Sequence, residues 1–204
     1  PSHTLICGFS GKRVLGDEVN VSDVTGALVA KPFLKTSVIS GKRGEPSYFA
    51  RCDFTGVEVL RSELAVSELS ARAYRMDQQR RSAVSGKSGH VQEFVQCYET
   101  RQLIGLSEAE RCEVTGHFVR PGILETCEET GRRALPSELQ RCAVTGRRAL
   151  KSLFVTSSIS GTPLLKRTAI PSLDGHYCLP TEAQLCIWSG RICHPADVRI
   201  CELT

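Results

Sequence analysis

The chain has 204 residues, 26 Lys and Arg against 22 Asp and Glu, and ten cysteines. The net charge of +4 is compatible with a nucleic-acid partner but does not demand one. No apolar run approaches the roughly eighteen residues of a membrane-spanning helix, and no charged-then-apolar leader opens the sequence, so a cytoplasmic protein with no membrane partner is expected.

Cys or Ser recurs every fifteen residues, at Cys7, Ser22, Ser37, Cys52, Ser67, Ser82, Cys97, Cys112, Cys127, Cys142 and Ser157. After one deletion the register resumes at Pro171, Cys186 and Cys201. A period this short predicts an array in which each repeat borrows its neighbours' faces to bury a core. Residues 1–204 are therefore expected to form a single repeat array, mostly β, of about thirteen hairpin-like or knuckle-like repeats with short helical corners. The alternative is a β-solenoid with one coil per repeat. The sequence is expected to be a segment of a longer protein.

Each repeat is numbered from its Cys or Ser, position one. Position three is apolar, as in Phe9, Val24, Ile39, Phe54 and Trp188, with Glu99 and Glu129 as exceptions. If this stretch is extended, positions one and three share an inward face. Position four is Ser or Thr except at Asp174, and position five is Gly except at Ala71 and Arg101. Ser/Thr-Gly predicts a tight turn, because the hydroxyl bonds nearby backbone and Gly takes a positive φ without steric cost. Val14-Leu15, Val59-Leu60 and Leu164-Leu165 at positions eight and nine predict a second short strand. A polar corner follows, such as Pro136-Ser137-Glu138, leading to an apolar position thirteen: Val19, Leu34, Phe49, Leu64.

Repeats differ along the chain. Residues 67–81 lack the turn Gly and carry Arg72, Arg75, Arg80 and Arg81, which predicts a more helical stretch. Cys97 to Arg111 has Arg101 in the Gly slot. These irregular repeats suggest sub-units at 1–66, 67–111 and 112–204. Eight of the ten cysteines sit at position one, where Ser replaces them elsewhere. Half-cystines are not normally exchanged for Ser in alternate repeats, so buried free thiols in a reducing compartment are expected.

Cys127-Glu128-Glu129-Thr130-Gly131-Arg132-Arg133-Ala134-Leu135-Pro136 resembles a knuckle of the rubredoxin and zinc-ribbon type, C-x-x-C-G-K, with Thr130 where the second ligand Cys would stand. The resemblance implies tandem degenerate knuckles in which hydrogen bonds and apolar packing replace most of the metal. Structural zinc takes four Cys or His ligands, and hydroxyls are poor substitutes. Only the C-terminal end gathers enough candidates: Cys178, Cys186, Cys193 and Cys201, with His176 and His194 beside them. A zinc ion there is the one cofactor expected; otherwise none is.

Positions six and seven carry Lys12-Arg13, Lys42-Arg43, Arg132-Arg133 and Arg147-Arg148, with Arg72, Lys87 and Arg191 as singles. In a regular array they would align as a stripe able to follow a phosphate backbone. Position twelve is acidic at Glu18, Glu63, Glu93, Glu108, Glu138, Glu182 and Asp197, so the two columns could instead pair and solubilise the array. Ser85-Gly86-Lys87-Ser88 is no phosphate-binding loop, because Arg81 stands where that loop needs Gly. No nucleophile and base are fixed by spacing, so no enzyme is expected. The leading expectation is a scaffold or recognition module for a protein partner or for domains of its parent protein. The alternatives are a nucleic-acid-binding accessory module and a structural zinc module.

Overall fold

The computed structural model describes residues 4–198. It is mostly β: thirteen separate two-stranded sheets, every one an antiparallel hairpin of sequential strands. Parallel pairing between repeats, which a solenoid requires, is not seen among the described residues.

One repeat illustrates the rest. The strand Phe49–Arg51 pairs with Glu58–Leu60, Phe49 opposite Leu60 and Arg51 opposite Glu58. Between them Cys52 N–H donates to the Val57 carbonyl at 2.9 Å, and Gly56 N–H donates to the Cys52 carbonyl at 2.8 Å. Gly56 takes a φ of 72°, the left-handed conformation that closes the turn. Arg61–Glu63 then form a single 3-10 turn, and Leu64–Val66 open the next hairpin. Most corners are 3-10 turns of three residues, those after Leu103–Gly105, Phe118–Val119 and Tyr177–Cys178 are plain turns, and no α-helix occurs among the described residues.

Three expectations change. Position one does not lie in a strand with position three; it follows the first strand, and position three sits in the turn, where Phe9, Val24 and Val84 are exposed. Residues 67–81 are not helical: Ala73–Arg75 and Gln79–Arg81 are strands around a 3-10 turn at Met76–Gln78. Ala71 and Arg101 simply adopt the missing glycine's conformation, each with a φ of 59°. The slot assigned to Pro171 belongs to Ser172, which is buried while Pro171 is exposed. The deletion falls inside the next turn, where Ser172 N–H reaches the His176 carbonyl and Gly175 N–H the Ser172 carbonyl.

The core is built from repeat columns. Position one is buried throughout from Cys7 to Ser172. Position eight is buried at Val29, Val59, Tyr74, Ile104, Val119, Ala134, Ala149 and Leu164, and position nine at Leu60, Leu135, Leu150 and Leu165. Hairpins are tied in series by backbone: position-two N–H donates to the position-seven carbonyl of the next hairpin, as from Gly8 to Leu28, Asp53 to Ala73 and Glu128 to Arg148. The chain divides between Ala109 and Glu110 into two compact units.

Candidate functional site

The polar chemistry of the fold is concentrated at the joint where one hairpin turn meets the next hairpin. In Ser67 the side-chain oxygen accepts from two amides of its own turn, Leu69 N at 3.1 Å and Ser70 N at 3.2 Å. Its hydroxyl and that of Ser70 hydrogen-bond the carboxylate of Glu93 in the following corner. Ser37 pairs in the same way with Glu63, Ser82 with Glu108, Ser157 with Glu182 and Ser172 with Asp197. Ser22 uses Glu45 instead, which accepts from Ser22 Oγ and Thr25 Oγ1, each at 2.7 Å. The carboxylate also accepts the position-nine amide: Leu60 N reaches Glu63 at 3.2 Å, His90 N Glu93 at 2.8 Å and Leu179 N Glu182 at 2.9 Å.

Cysteine joints are built differently. Ala30 N donates to Cys7 Sγ at 3.3 Å and Leu165 N to Cys142 Sγ at 3.4 Å, so sulfur itself takes the position-nine amide. The position-four hydroxyl faces the thiol, Ser10 on Cys7 and Thr145 on Cys142. The Ser10 hydroxyl, followed by the Ala30 amide, brings the Cys7 thiol down to about 7. Burial pushes the Cys142 thiol up, but the Thr145 hydroxyl and the Leu165, Thr145 and Val144 amides outweigh it and bring it to about 7 as well. Burial likewise pushes Glu45 up, and the Ser22 and Thr25 hydroxyls hold it below the usual carboxylate range.

The position-twelve acids Glu63, Glu93, Glu108, Glu182 and Asp197 therefore do not form a surface column pairing with lysine and arginine; they turn inward to hydroxyls. The signal is present in the spacing, because Ser at position one goes with an acid about twenty-six residues on. It is not visible within any single repeat, because the partners belong to different repeats.

The basic residues divide into two groups. Position seven joins cross-hairpin ion pairs: Arg133 with Glu110 at 2.9 Å, Arg148 with Glu125, and Arg43 with Asp23 at 3.8 Å. Lys35 with Glu58 is the same kind of pair with the charges exchanged. Arg72 lies over the Phe54 ring at 4.2 Å and donates to the Asp53 carbonyl, and Arg147 pairs with Glu129. Lys12, Arg13, Lys42, Lys87, Arg132 and Arg191 lie in or beside the hairpin turns. Gly86 and Lys87 belong to such a turn, with Gly86 at a φ of 75°.

At the C-terminal end, Cys178 is buried opposite Ile170, and burial pushes its thiol up. Cys186 and Cys193 are half-buried, and the Cys193 thiol donates to the Arg191 carbonyl. His176 is exposed, while buried His194 contacts Ser158 Oγ through Nε2 at 3.0 Å and accepts Ala196 N at Nδ1. Cys201 lies outside the described residues. Among the described residues no three His, Cys, Asp or Glu side chains come together as a metal-ligand group. All nine described cysteines are free thiols.

No protein-family model, curated protein or solved structure matches the chain.

Proposed function

We propose that this chain is a non-catalytic repeat module that presents a recognition surface to a protein partner. The observation that carries the reading is the division of labour within each repeat. The thiols, hydroxyls and acids of the joints are engaged with one another, whereas about half of the turns offer the outside an apolar residue. Phe9, Val24, Val84, Val114, Val144 and Ile159 are all exposed there. With a lysine or arginine three residues on in several turns, the repeated pair fits an extended acidic and apolar segment. Regular spacing favours a long partner over a small molecule. In this reading the turns are degenerate knuckles, with a thiol or hydroxyl at position one facing a hydroxyl at position four where a metal would sit. Cross-linking in cell extract with wild-type protein and with the V114S/V144S/I159S variant tests the proposal. Loss of the same cross-linked partners from a folded variant is expected, and an unchanged partner set overturns it.

A second reading rests on the cations Lys12, Lys42, Lys87 and Arg132, which occupy the same turn position in their repeats. A nucleic-acid backbone would be held by them electrostatically. Binding to mixed-sequence DNA and RNA should then fall steeply with salt. Negligible binding at low salt rejects this reading.

A further inference from the structure

The amide of position nine is answered at the joint by sulfur alone or with the help of an acid; in the Ser82 joint Gly105 N is shared between Ser82 Oγ at 3.3 Å and Glu108. Sulfur is a large acceptor and takes that amide directly, as Cys142 takes Leu165. The Ser67 oxygen already accepts from the amides of its own turn, and its hydroxyl donates a hydrogen bond to the Glu93 carboxylate, which also accepts the His90 amide. A serine without that acid leaves a buried hydroxyl and a buried amide poorly answered.

We infer that position one and the corner residue of the next hairpin form a pairing rule that decides which hairpin can follow which: serine requires an acid, cysteine does not. The sequence is partitioned accordingly. Ser37, Ser67 and Ser82 meet Glu63, Glu93 and Glu108. Ser157 and Ser172 meet Glu182 and Asp197 one residue earlier, because the intervening turn is one residue shorter. Ser22 has Tyr48 at the corner place, and an acid from position nine, Glu45, replaces it. Cys7, Cys52, Cys127 and Cys142 have Phe33, Gln78, Leu153 and Thr168 at the corresponding place. Cys112 combines a cysteine with an acid, since Glu138 stands at its corner place and is half-buried.

That exception supplies the test. The substitutions C112S, C127S and C142S make the same chemical change, but only C112S puts its new hydroxyl in a joint that already holds an acid. Hydrogen–deuterium exchange is read at the amides of Leu135, Leu150 and Leu165, each of which donates to the sulfur of its joint. Exchange should accelerate about tenfold or more at Leu150 in C127S and at Leu165 in C142S, and less than about threefold at Leu135 in C112S. Adding L153E to C127S should restore protection at Leu150. If C127S fails to fold, the reverse exchange in the other compact unit decides: E63L should expose the Leu60 amide, and S37C/E63L should protect it again. Equal acceleration in all three cysteine variants, or no rescue by L153E or S37C, overturns the rule.

Discussion

The amide of Leu165 donates to Sγ of Cys142 across 3.4 Å, although the two residues lie twenty-three apart in sequence and in different hairpins. Gly105 N makes the same approach to Ser82 Oγ at 3.3 Å, with the same separation. The fifteen-residue period thus places chemical partners one whole repeat and half of another apart. Stability is accordingly a property of joints rather than of single hairpins, which are marginal alone.

The thiols of Cys7 and Cys142 titrate at about 7, below the usual value of 9.0 for an unperturbed thiol. A folded-state value lower than the unfolded one adds stability that is fully present above about 9 and is lost as pH falls through about 7. The urea midpoint of the wild-type protein should therefore rise between pH 7 and 9, and this rise should shrink in C7A/C142A. A flat profile in the wild type contradicts the thiolate assignment.

Glu45 is buried and accepts from both Ser22 and Thr25. Replacing it by Leu strands two hydroxyls and removes charge-assisted bonds, at a cost of about 1.5–3 kcal/mol. Because its carboxyl is held below the ordinary value of 4.5, its contribution is present above that pH and disappears as pH falls through the lower folded value. Acid unfolding of wild type and E45L should converge at low pH, measured by circular dichroism.

Ala71 and Arg101 sit at a φ of 59°, where twelve glycines of the chain also take positive values. A side chain in the left-handed region costs about 1–2 kcal/mol, partly offset by the entropy that glycine loses on folding. A71G and R101G should each raise stability by about 0.5–1 kcal/mol, and G56A should lower it by about 1 kcal/mol. Equilibrium urea denaturation distinguishes these directions.

Ile104 and Val59 are completely buried in the position-eight column. I104A should cost about 2–5 kcal/mol through lost transfer energy and the cavity left behind. In a serially linked fold the damage should be felt first by adjoining hairpins. Exchange protection should fall at Ala83, whose amide donates to the Leu103 carbonyl and ties one hairpin to the next, before it falls near Cys7.

Much of the local architecture is legible in the sequence. Ser/Thr-Gly announces the turns, the apolar pairs at positions eight and nine announce the second strand, and the polar stretch before position thirteen announces the corner. These are short-range effects of backbone preference and alternation, and they recur visibly because the repeat is short. Local pattern does not place residues whose environment is set by a neighbouring repeat. Alternation points position three inward with position one, yet residues such as Phe9 and Val84 lie on the turn and are exposed. The register at Pro171 slips by one because a deletion inside a turn cannot be placed by counting alone. Composition favours helix in the Arg-rich stretch after Ser67, but strand pairing of Ala73–Arg75 with Leu64–Val66 overrides it.

The array is written into each repeat: the period, the turn chemistry, and the small buried residue at position one. These depend on interactions within one fifteen-residue stretch. The role of the position-twelve acids emerges only from the packing of one hairpin on another, because Glu63, Glu108 and Glu182 find Ser37, Ser82 and Ser157 across a joint rather than the nearby cations. Burial accounts for this choice. A hydroxyl and an amide closed off between hairpins need an acceptor more than an exposed lysine needs a counter-ion.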